Sequence, residues 1–328
     1  MDRLEFANRP RCREAKGTYE VWYVTVNQPA QGRGFWIRYT TLNPADGAGS
    51  EPHAALWAAS FDRGAPERNL ALKAVHPLSA VGYQEPFGIS IGDAVLDVRG
   101  CRGSLTAPGG TARWDLAWTS HAEPFFIPEP AWLKVVSAAN FGAQPCLEVT
   151  GTIEIGGVTY ELDRAYGGQQ HTWGRRHALE WNWGFAAGLG GRRGEFLDGV
   201  STRVRGPGGV TLGGTALGLL AGERSVRVSS LPATLRNGAE ISPVGWDAKV
   251  SDGGLTAEVS IRPRREDLIG VTYGDPAGGI RVCYHTEVAD LDLTLLEAGR
   301  EVFAHRFESA AAFEYASEKA LPGLPPVL

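Results

Sequence analysis

The sequence predicts an all-β protein built from antiparallel strands, on three observations. Runs of alternating apolar and polar residues recur along the chain, and turn signals separate them about every 8 to 12 residues. The 328 residues include 43 glycines and 20 prolines but only 1 methionine, a composition that favours turns and pleated surfaces over long helices. This spacing favours β-sandwiches or β-barrels over alternating strands and helices.

The first strand pair is predicted at Tyr19–Leu42, which reads YEVWYVTVNQPAQGRGFWIRYTTL. Two runs rich in β-branched and aromatic residues flank a loop that contains proline and glycine, as in an antiparallel pair. Alternation places Glu20, Trp22 and Val24 on one face and Tyr23 on the other. Glu20 and Trp22 are therefore candidates to line an interior, and Glu20 could serve as an acid.

The clearest hairpin is predicted at Cys146–Leu162, CLEVTGTIEIGGVTYEL. Gly156 and Gly157 can adopt the positive φ angles of a tight turn between two alternating runs. A two-residue turn fixes the register, so Ile155 should face Val158.

Most of the remaining segments show the same alternation of apolar and polar residues. Further strands are predicted at His53–Phe61, Phe87–Val98 and Ala112–Trp118 and in several runs after residue 195. Residues 310–319 (Ala310–Lys319) are predicted to be helical. Residues 65–85 and 124–144 contain proline and alanine and fit either short helices or loops.

Charge and cysteine usage exclude several classes of function. The 37 acids and 32 bases give a formal net charge of −5, and the Lys/Arg residues form no cluster of the kind that nucleic-acid binding needs. The polar N-terminus lacks a signal-peptide core and no apolar stretch approaches about 18 residues, so we expect a cytoplasmic protein without a spanning helix. The four scattered cysteines predict buried thiols and no metal site.

The densest cluster of polar-tipped rings lies in GGQQHTWGRRHALEWNWGF, residues 167–185. With the preceding hairpin (149–176), the WNWGF run (181–185) and FLD at 196–198, it resembles the carotenoid 1,2-hydratases (hydroxyneurosporene synthases) and related tocopherol-cyclase-like, lipocalin-like proteins. The resemblance implies two consecutive lipocalin-like (calycin) β-barrels, predicted at 1–168 and 169–328. It also implies an apolar, isoprenoid-like substrate held near the junction of the two barrels.

The resemblance also implies specific site residues. The family's His-x-Trp pair matches His171 and Trp173, and its aromatic-x-Asp matches Phe196 and Asp198. Phenylalanine at 196 stands where the hydratases carry tyrosine, and Gln170 stands where they carry an aspartate. The lost phenol could have oriented water, and the lost acid could have raised the histidine pKa.

The residue types themselves suit acid chemistry on an alkene. Desolvation would keep a buried carboxyl such as Asp198 protonated near neutral pH, ready to donate a proton. The faces of Trp173, Trp181 and Trp183 could stabilise the resulting carbocation by about 0.5–2 kcal/mol each. If His171 accepts a proton from the attacking water, no metal, nicotinamide or flavin is required.

The remaining candidates are predicted to line the substrate site. They are Phe196, Trp181, Trp183, Gln170, Glu20, Trp22 and His285. His285 is a candidate because alternation puts it on the same strand face as Glu287 in VCYHTEV.

Three functions fit these residues. The first is a cofactor-free lyase or isomerase that hydrates, dehydrates or cyclises a carbon–carbon double bond. The second is a lipocalin-like carrier of a hydrophobic small molecule, and the third is a pericyclic cyclase of the Diels–Alder type, in which positioning dominates. Each key residue also has a structural interpretation, with the tryptophans as core, His171 as a hydrogen-bond partner and Asp198 as the start of a turn before Gly199.

Overall fold

The computed structural model describes residues 2–13, 15–238 and 240–328, and strands make up most of it. The strands form two large curled antiparallel sheets, the architecture of a lipocalin-like double barrel. The all-β prediction is therefore confirmed.

Twelve strands make up the first sheet within the described residues. They are β1 (Thr18–Gln28), β2 (Arg33–Asn43), β3 (His53–Asp62), β4 (Leu70–His76), β5 (Val81–Gln84), β6 (Gly88–Ile91), β7 (Ala94–Asp97), β8 (Gly100–Ala107), β9 (Gly110–Ser120), β10 (Phe125–Ile127), β11 (Ala138–Ile155) and β12 (Val158–Gly174). The order is β4-β3-β2-β1-β12-β11-β9-β8-β7-β6-β5, and β10 pairs with β11. In the predicted hairpin Ile155 pairs with Val158, so its register is confirmed.

The second sheet has nine strands in the described part of the chain. They are β13 (Glu180–Ala187), β14 (Phe196–Arg205), β15 (Thr211–Ala221), β16 (Arg224–Val228), β17 (Trp246–Asp252), β18 (Leu255–Arg262), β19 (Ile269–Gly274), β20 (Ile280–Glu297) and β21 (Arg300–Ser317). The order is β16-β15-β14-β13-β21-β20-β18-β17, and β19 pairs with β20. Residues 169–174 still pair with β1 in the first sheet, so a division between the sheets falls within 175–179. We keep the division into two domains as a proposal.

Helices are short and lie outside the sheets. The α-helices are α1 (Arg3–Asn8) and α2 (Leu231–Arg236), and 3₁₀ turns lie at Pro29–Gln31, Pro66–Arg68, Leu78–Ala80, Pro130–Trp132, Leu189–Gly191, Pro207–Gly209 and Arg265–Asp267. None of the helices in the described ranges has both the length and the apolar character needed to cross a membrane. The undecided segments 65–85 and 124–144 contain short 3₁₀ turns as well as strands.

The helix predicted at Ala310–Lys319 is wrong, because most of this segment belongs to β21. Phe313 pairs with Gly184 of β13 and with Thr286 of β20, so β21 is an interior strand of the sheet. Alanine and glutamate favour helices in isolation, but pairing on both sides and complete burial of Phe313 outweigh that preference.

Two large apolar clusters fill the interiors of the sheets, and a third connects the sheets to each other. The first sheet encloses a core that includes Trp22 and Trp114, and the second encloses one that includes Trp246. A third cluster, with Trp36 from the first sheet and Tyr273 from the second, lies between the sheets. We call the layer between the two sheets the junction.

Gly168 shows how closely the sheets approach at the junction. A Cβ atom added there would lie 2.3 Å from the ring of Phe185 on β13. Only glycine allows this contact, so β12 and β13 can pack face to face at the point where the predicted motif lies.

Candidate functional site

The two faces of β12 divide the predicted site residues into two groups. His171 pairs with Trp22 of β1, and the preceding Gln170 pairs with Tyr23. Because successive side chains of a strand point to opposite faces, His171 faces the core of the first sheet while Gln170 faces the junction. The predicted convergence of His171 and Asp198 therefore does not occur, since Gln170 is the residue that contacts Asp198.

His171 is fully buried in the first sheet, and both of its ring nitrogens have oxygen partners. Nδ1 lies 2.7 Å from the Ala7 carbonyl and Nε2 lies 2.9 Å from Glu20 Oε1. The ring stacks on Trp22 with centroids 4.5 Å apart, and Trp173 lies 4.7 Å away on the same face. Both contacts can be hydrogen bonds only if both nitrogens carry protons or if the proton lies on Glu20.

The carboxylate of Glu20 also fastens the N-terminal segment to the sheet. The backbone N–H groups of Arg11 and Cys12 donate to its two oxygens at 2.5 and 2.9 Å. Asn8 adds two further contacts, since its side-chain oxygen accepts from Gln169 (2.7 Å) and its carbonyl accepts from Trp22 Nε1 (3.1 Å). These hydrogen bonds attach α1 and the residues that follow it to the first sheet.

Asp198 lies in the junction and is fully buried. Trp183 Nε1 donates to its Oδ1 at 3.0 Å and Gln170 Nε2 donates to its Oδ2 at 3.1 Å. Burial raises the pKa of Asp198 from its ordinary 3.8 to about 6, although the two hydrogen bonds oppose this. Gly142 of β11 makes the room, because a Cβ there would lie 2.7 Å from Oδ2.

His285 and the carboxylates of Glu287 and Glu314 form a second cluster of titratable side chains in the junction. Nε2 lies 2.8 Å from Glu287 Oε1, and Nδ1 lies 3.2 Å from Glu314 Oε1 without the alignment of a hydrogen bond. Burial alone would lower the pKa of His285, but the contacts with both carboxylates outweigh it and raise the pKa to about 9. Burial raises the pKa of Glu287 to about 7, whereas the contact with His285 overcomes burial at Glu314 and holds its pKa below the usual value.

Aromatic side chains surround Glu314. Trp181 Nε1 donates to its Oε2 and the Tyr273 hydroxyl donates to its Oε1, both at 3.2 Å. The rings of Trp181 and Tyr273 stack with an interplanar angle of 9°.

Among the described residues, no group of three or more His, Cys, Asp or Glu side chains is arranged to hold a metal ion.

Tyr23 packs in the junction beside Trp183. Its ring meets Trp183 edge-on with centroids 5.7 Å apart. Burial raises its pKa well above the usual value, and the negative charges of Glu314 and Asp198 add to this effect. The phenol of Tyr23 is therefore a neutral hydroxyl group.

The junction holds five of the ten site residues that the sequence predicted. It holds Asp198, Gln170, Trp181, Trp183 and His285. The interior of the first sheet holds His171, Trp173, Glu20 and Trp22. Phe196 packs in a separate cluster with Phe125 and Cys146, two residues before Asp198 on β14.

Sequence analysis missed Tyr23 and Glu314 as parts of the junction. Alternation placed Tyr23 opposite Glu20, but nothing in the sequence showed that the opposite face is covered by a second sheet. Glu314 lay in the segment wrongly predicted as a helix, which concealed its place on a strand beside Trp183.

Two cavities lie near the segment that connects the sheets. The larger, about 260 Å³, is lined by Ser137, Arg175, Arg176, His177, Leu179, Val204 and Arg205. The smaller, about 30 Å³, lies at the junction and is also lined by His177. Neither is lined by His171 or Asp198.

The raised pKa of Asp198 predicts a specific pH dependence of stability. Between pH 4 and 6 the carboxyl is ionised in the unfolded chain but still binds its proton in the folded protein, so stability falls as pH rises. Relative to Asp198→Asn, the wild-type free energy of unfolding should drop by about 3 kcal/mol across this window. Urea titrations of both proteins at pH 4, 5, 6 and 7 measure the difference, and a constant difference would contradict the raised pKa.

Two proteins of known sequence are similar to this chain over most of its length. The sequence is similar to two uncharacterized proteins of Mycobacterium tuberculosis, MT0513 of strain CDC 1551 and Rv0493c of strain H37Rv. Each is 28% identical over 300 residues, which cover 90% of this chain and 86% of the relative. No family model matches the chain.

Two solved structures share the fold. Kievitone hydratase from Nectria haematococca superposes with a TM-score of 0.55 at 11% identity, over 98% of this chain and 93% of its own. A protein of Nitrosomonas europaea, provisionally assigned as AttH, superposes with a TM-score of 0.54 at 16% identity, over 92% of this chain and 93% of its own. At these identities the likeness establishes the fold.

Proposed function

We propose that the protein is a cofactor-free lyase or isomerase of the carotenoid-1,2-hydratase-like kind, working by acid catalysis at the junction. Its substrate is an apolar, isoprenoid-like small molecule with a carbon–carbon double bond. The observation that carries the proposal is Asp198, a fully buried carboxyl with a pKa raised to about 6 and two neutral hydrogen-bond donors. We retain the cytoplasm as the proposed location.

Asp198 suits the donation of a proton to an alkene. A carboxyl with a pKa of about 6 is about half protonated at pH 6 and about one tenth protonated at pH 7, and it is a far stronger acid than water. Its two partners are a tryptophan N–H and an amide, neither of which carries a charge that would lock the group as a carboxylate. The conjugate base keeps both hydrogen bonds after the proton has left.

The neighbouring rings and Glu314 supply the remaining steps. The new C–H bond takes its proton from Asp198, and the faces of Trp181 and Trp183 stabilise the carbocation by cation–π attraction. Glu314 is held ionised by His285 and accepts a proton from water as the C–O bond forms. Solvent then returns a proton to Asp198 and removes one from Glu314, so hydration is balanced, and dehydration is the reverse.

His171 has a different role in this proposal. It faces away from Asp198 and is paired on both ring nitrogens, so we assign it to anchoring the N-terminal segment. The name of the neighbour kievitone hydratase supports the class of reaction, a hydration, whereas its substrate is not transferred to this chain.

An isotope experiment tests the proposal. Purified protein is incubated with a small-molecule extract of its own host in D₂O without added cofactor, and products are compared by mass spectrometry after return to H₂O. Hydration by protonation should leave one non-exchangeable deuterium in a product that has gained water. A ring closure without deuterium would indicate the pericyclic alternative, and an unchanged molecule that copurifies with the protein would indicate a carrier; either result would overturn the acid mechanism.

A further inference from the structure

The small cavity of about 30 Å³ at the junction has an unusual lining of cations and rings. Its residues are Tyr19, Arg38, Thr40, Leu42, His53, Ala55, Trp57, Lys73, His177, Thr272, Tyr273 and Gly274. Lys73 and His53 are partly exposed, so the cavity reaches the protein surface. No acidic side chain belongs to this lining.

Arg38 is the central feature of this cavity. It is only 6% exposed, and its guanidinium lies 4.0 Å from the centre of the Tyr273 ring and 5.7 Å from that of Trp57. Within the described residues its Nε has no hydrogen-bond acceptor, and no carboxylate lies within ion-pair distance of the side chain. A buried guanidinium without an anionic partner is costly, whereas a planar oxyanion would satisfy its donors.

Two further buried donors line the same cavity without an acceptor in the described part of the chain. They are the hydroxyl of Thr40 and the indole Nε1 of Trp57. Buried polar atoms are almost always hydrogen-bonded in folded proteins. Three such donors around one cavity therefore indicate a ligand that accepts several hydrogen bonds at once.

Lys73 adds a second positive charge. Its ammonium lies 4.3 Å from the centre of the Trp57 ring, and burial together with the charge of Arg38 lowers its pKa. The acids nearest to the cavity have other partners, since Glu314 contacts His285 and Asp275 accepts from the backbone of His177. The lining itself therefore carries two basic side chains, Arg38 and Lys73, and no acidic one.

We propose that this cavity binds the carboxylate group of a small organic acid. The volume is about that of one water molecule in the liquid, so it suits a head group whose remainder extends toward the surface. The proposal concerns binding alone and does not depend on the proposed lyase activity, since it is tested without turnover.

Titration calorimetry with defined probes tests the site. Hexanoate should bind the wild type, and 1-hexanol, which has the same chain length without the charge, should not. Arg38→Gln should weaken hexanoate binding by about tenfold or more, because a hydrogen bond to a charged group is lost. The control is Arg102→Gln, an exposed arginine on β8, which should leave binding unchanged.

Binding of acetate and of inorganic phosphate shows which kind of anion the cavity prefers. Hexanoate binding more tightly than acetate would show that the site holds the head of an apolar ligand, and equal binding would show a site for a free small carboxylate; both support the proposal. Phosphate binding more tightly than either carboxylate, or no saturable carboxylate binding, would overturn it.

Milder variants keep the test decisive if Arg38→Gln does not fold. Lys73→Gln changes a partly exposed residue and should weaken hexanoate binding several-fold, as should Thr40→Val, which removes only a hydroxyl. Circular dichroism verifies the fold of each variant. Folded variants that all bind hexanoate as tightly as the wild type would overturn the proposal.

Discussion

Asp198→Asn should lower turnover by about 10²–10⁴-fold, the usual contribution of a general acid. Asparagine has the same shape but cannot donate a proton of suitable acidity. Asparagine can keep a hydrogen bond to each neighbour. Its side-chain oxygen accepts from Trp183, and its NH₂ group can donate to the side-chain oxygen of Gln170 once the Gln170 amide has rotated by 180°. Folding should be preserved, so the loss should appear in kcat rather than in the amount of folded protein.

The matched control for this prediction is Asp247→Asn. Asp247 is exposed on β17 and forms an ion pair with Arg262. Its turnover should equal that of the wild type. The pH profile gives a second check, because wild-type activity should fall as pH rises through about 6, where Asp198 loses its proton. Turnover of Asp198→Asn equal to that of the control would remove Asp198 from the mechanism.

Alternation within single strands could be predicted from the sequence because it is a local property. The shared face of Glu20 and Trp22 and the turn at Gly156 and Gly157 depend on a few consecutive residues, and the structure confirms them. The contact of Gln170 with Asp198 joins two sheets, so it depends on how the sheets pack. No periodicity within either segment encodes that packing.

The same distinction explains why the predicted site residues lie in two places. Asp198, Trp181, Trp183 and His285 lie together in the junction, and they were predicted as site residues because acid, indole and imidazole groups in alternating segments indicate chemistry. The partnership of Asp198 with His171 was wrong because residues 170 and 171 face opposite sides of one strand. The resemblance matched residue types along the chain, and the direction of each side chain followed only from the pairing of β12 with β1.

The pair of His171 and Glu20 leads to a second large effect, this time on stability. His171→Ala should lower the free energy of unfolding by about 3–5 kcal/mol, because it leaves a cavity in place of a buried ring and removes a hydrogen-bond partner from two buried groups. The variant leaves the Glu20 carboxylate buried with only backbone donors and leaves the Ala7 carbonyl without its partner. Urea denaturation monitored by tryptophan fluorescence measures the change.

A second variant separates anchoring from catalysis. Glu20→Gln combined with His171→Ala leaves no buried charge at this position, so the double variant should be more stable than His171→Ala alone, with a coupling of about 0.5–3 kcal/mol. If His171 is an anchor, turnover per folded molecule should stay within a fewfold of the wild type in both variants. A base instead predicts at least a tenfold loss of turnover with little change in stability. That opposite result would restore His171 to the catalytic machinery and would require a route for substrate beneath α1, where Ala7 and Asn8 now cover the pair.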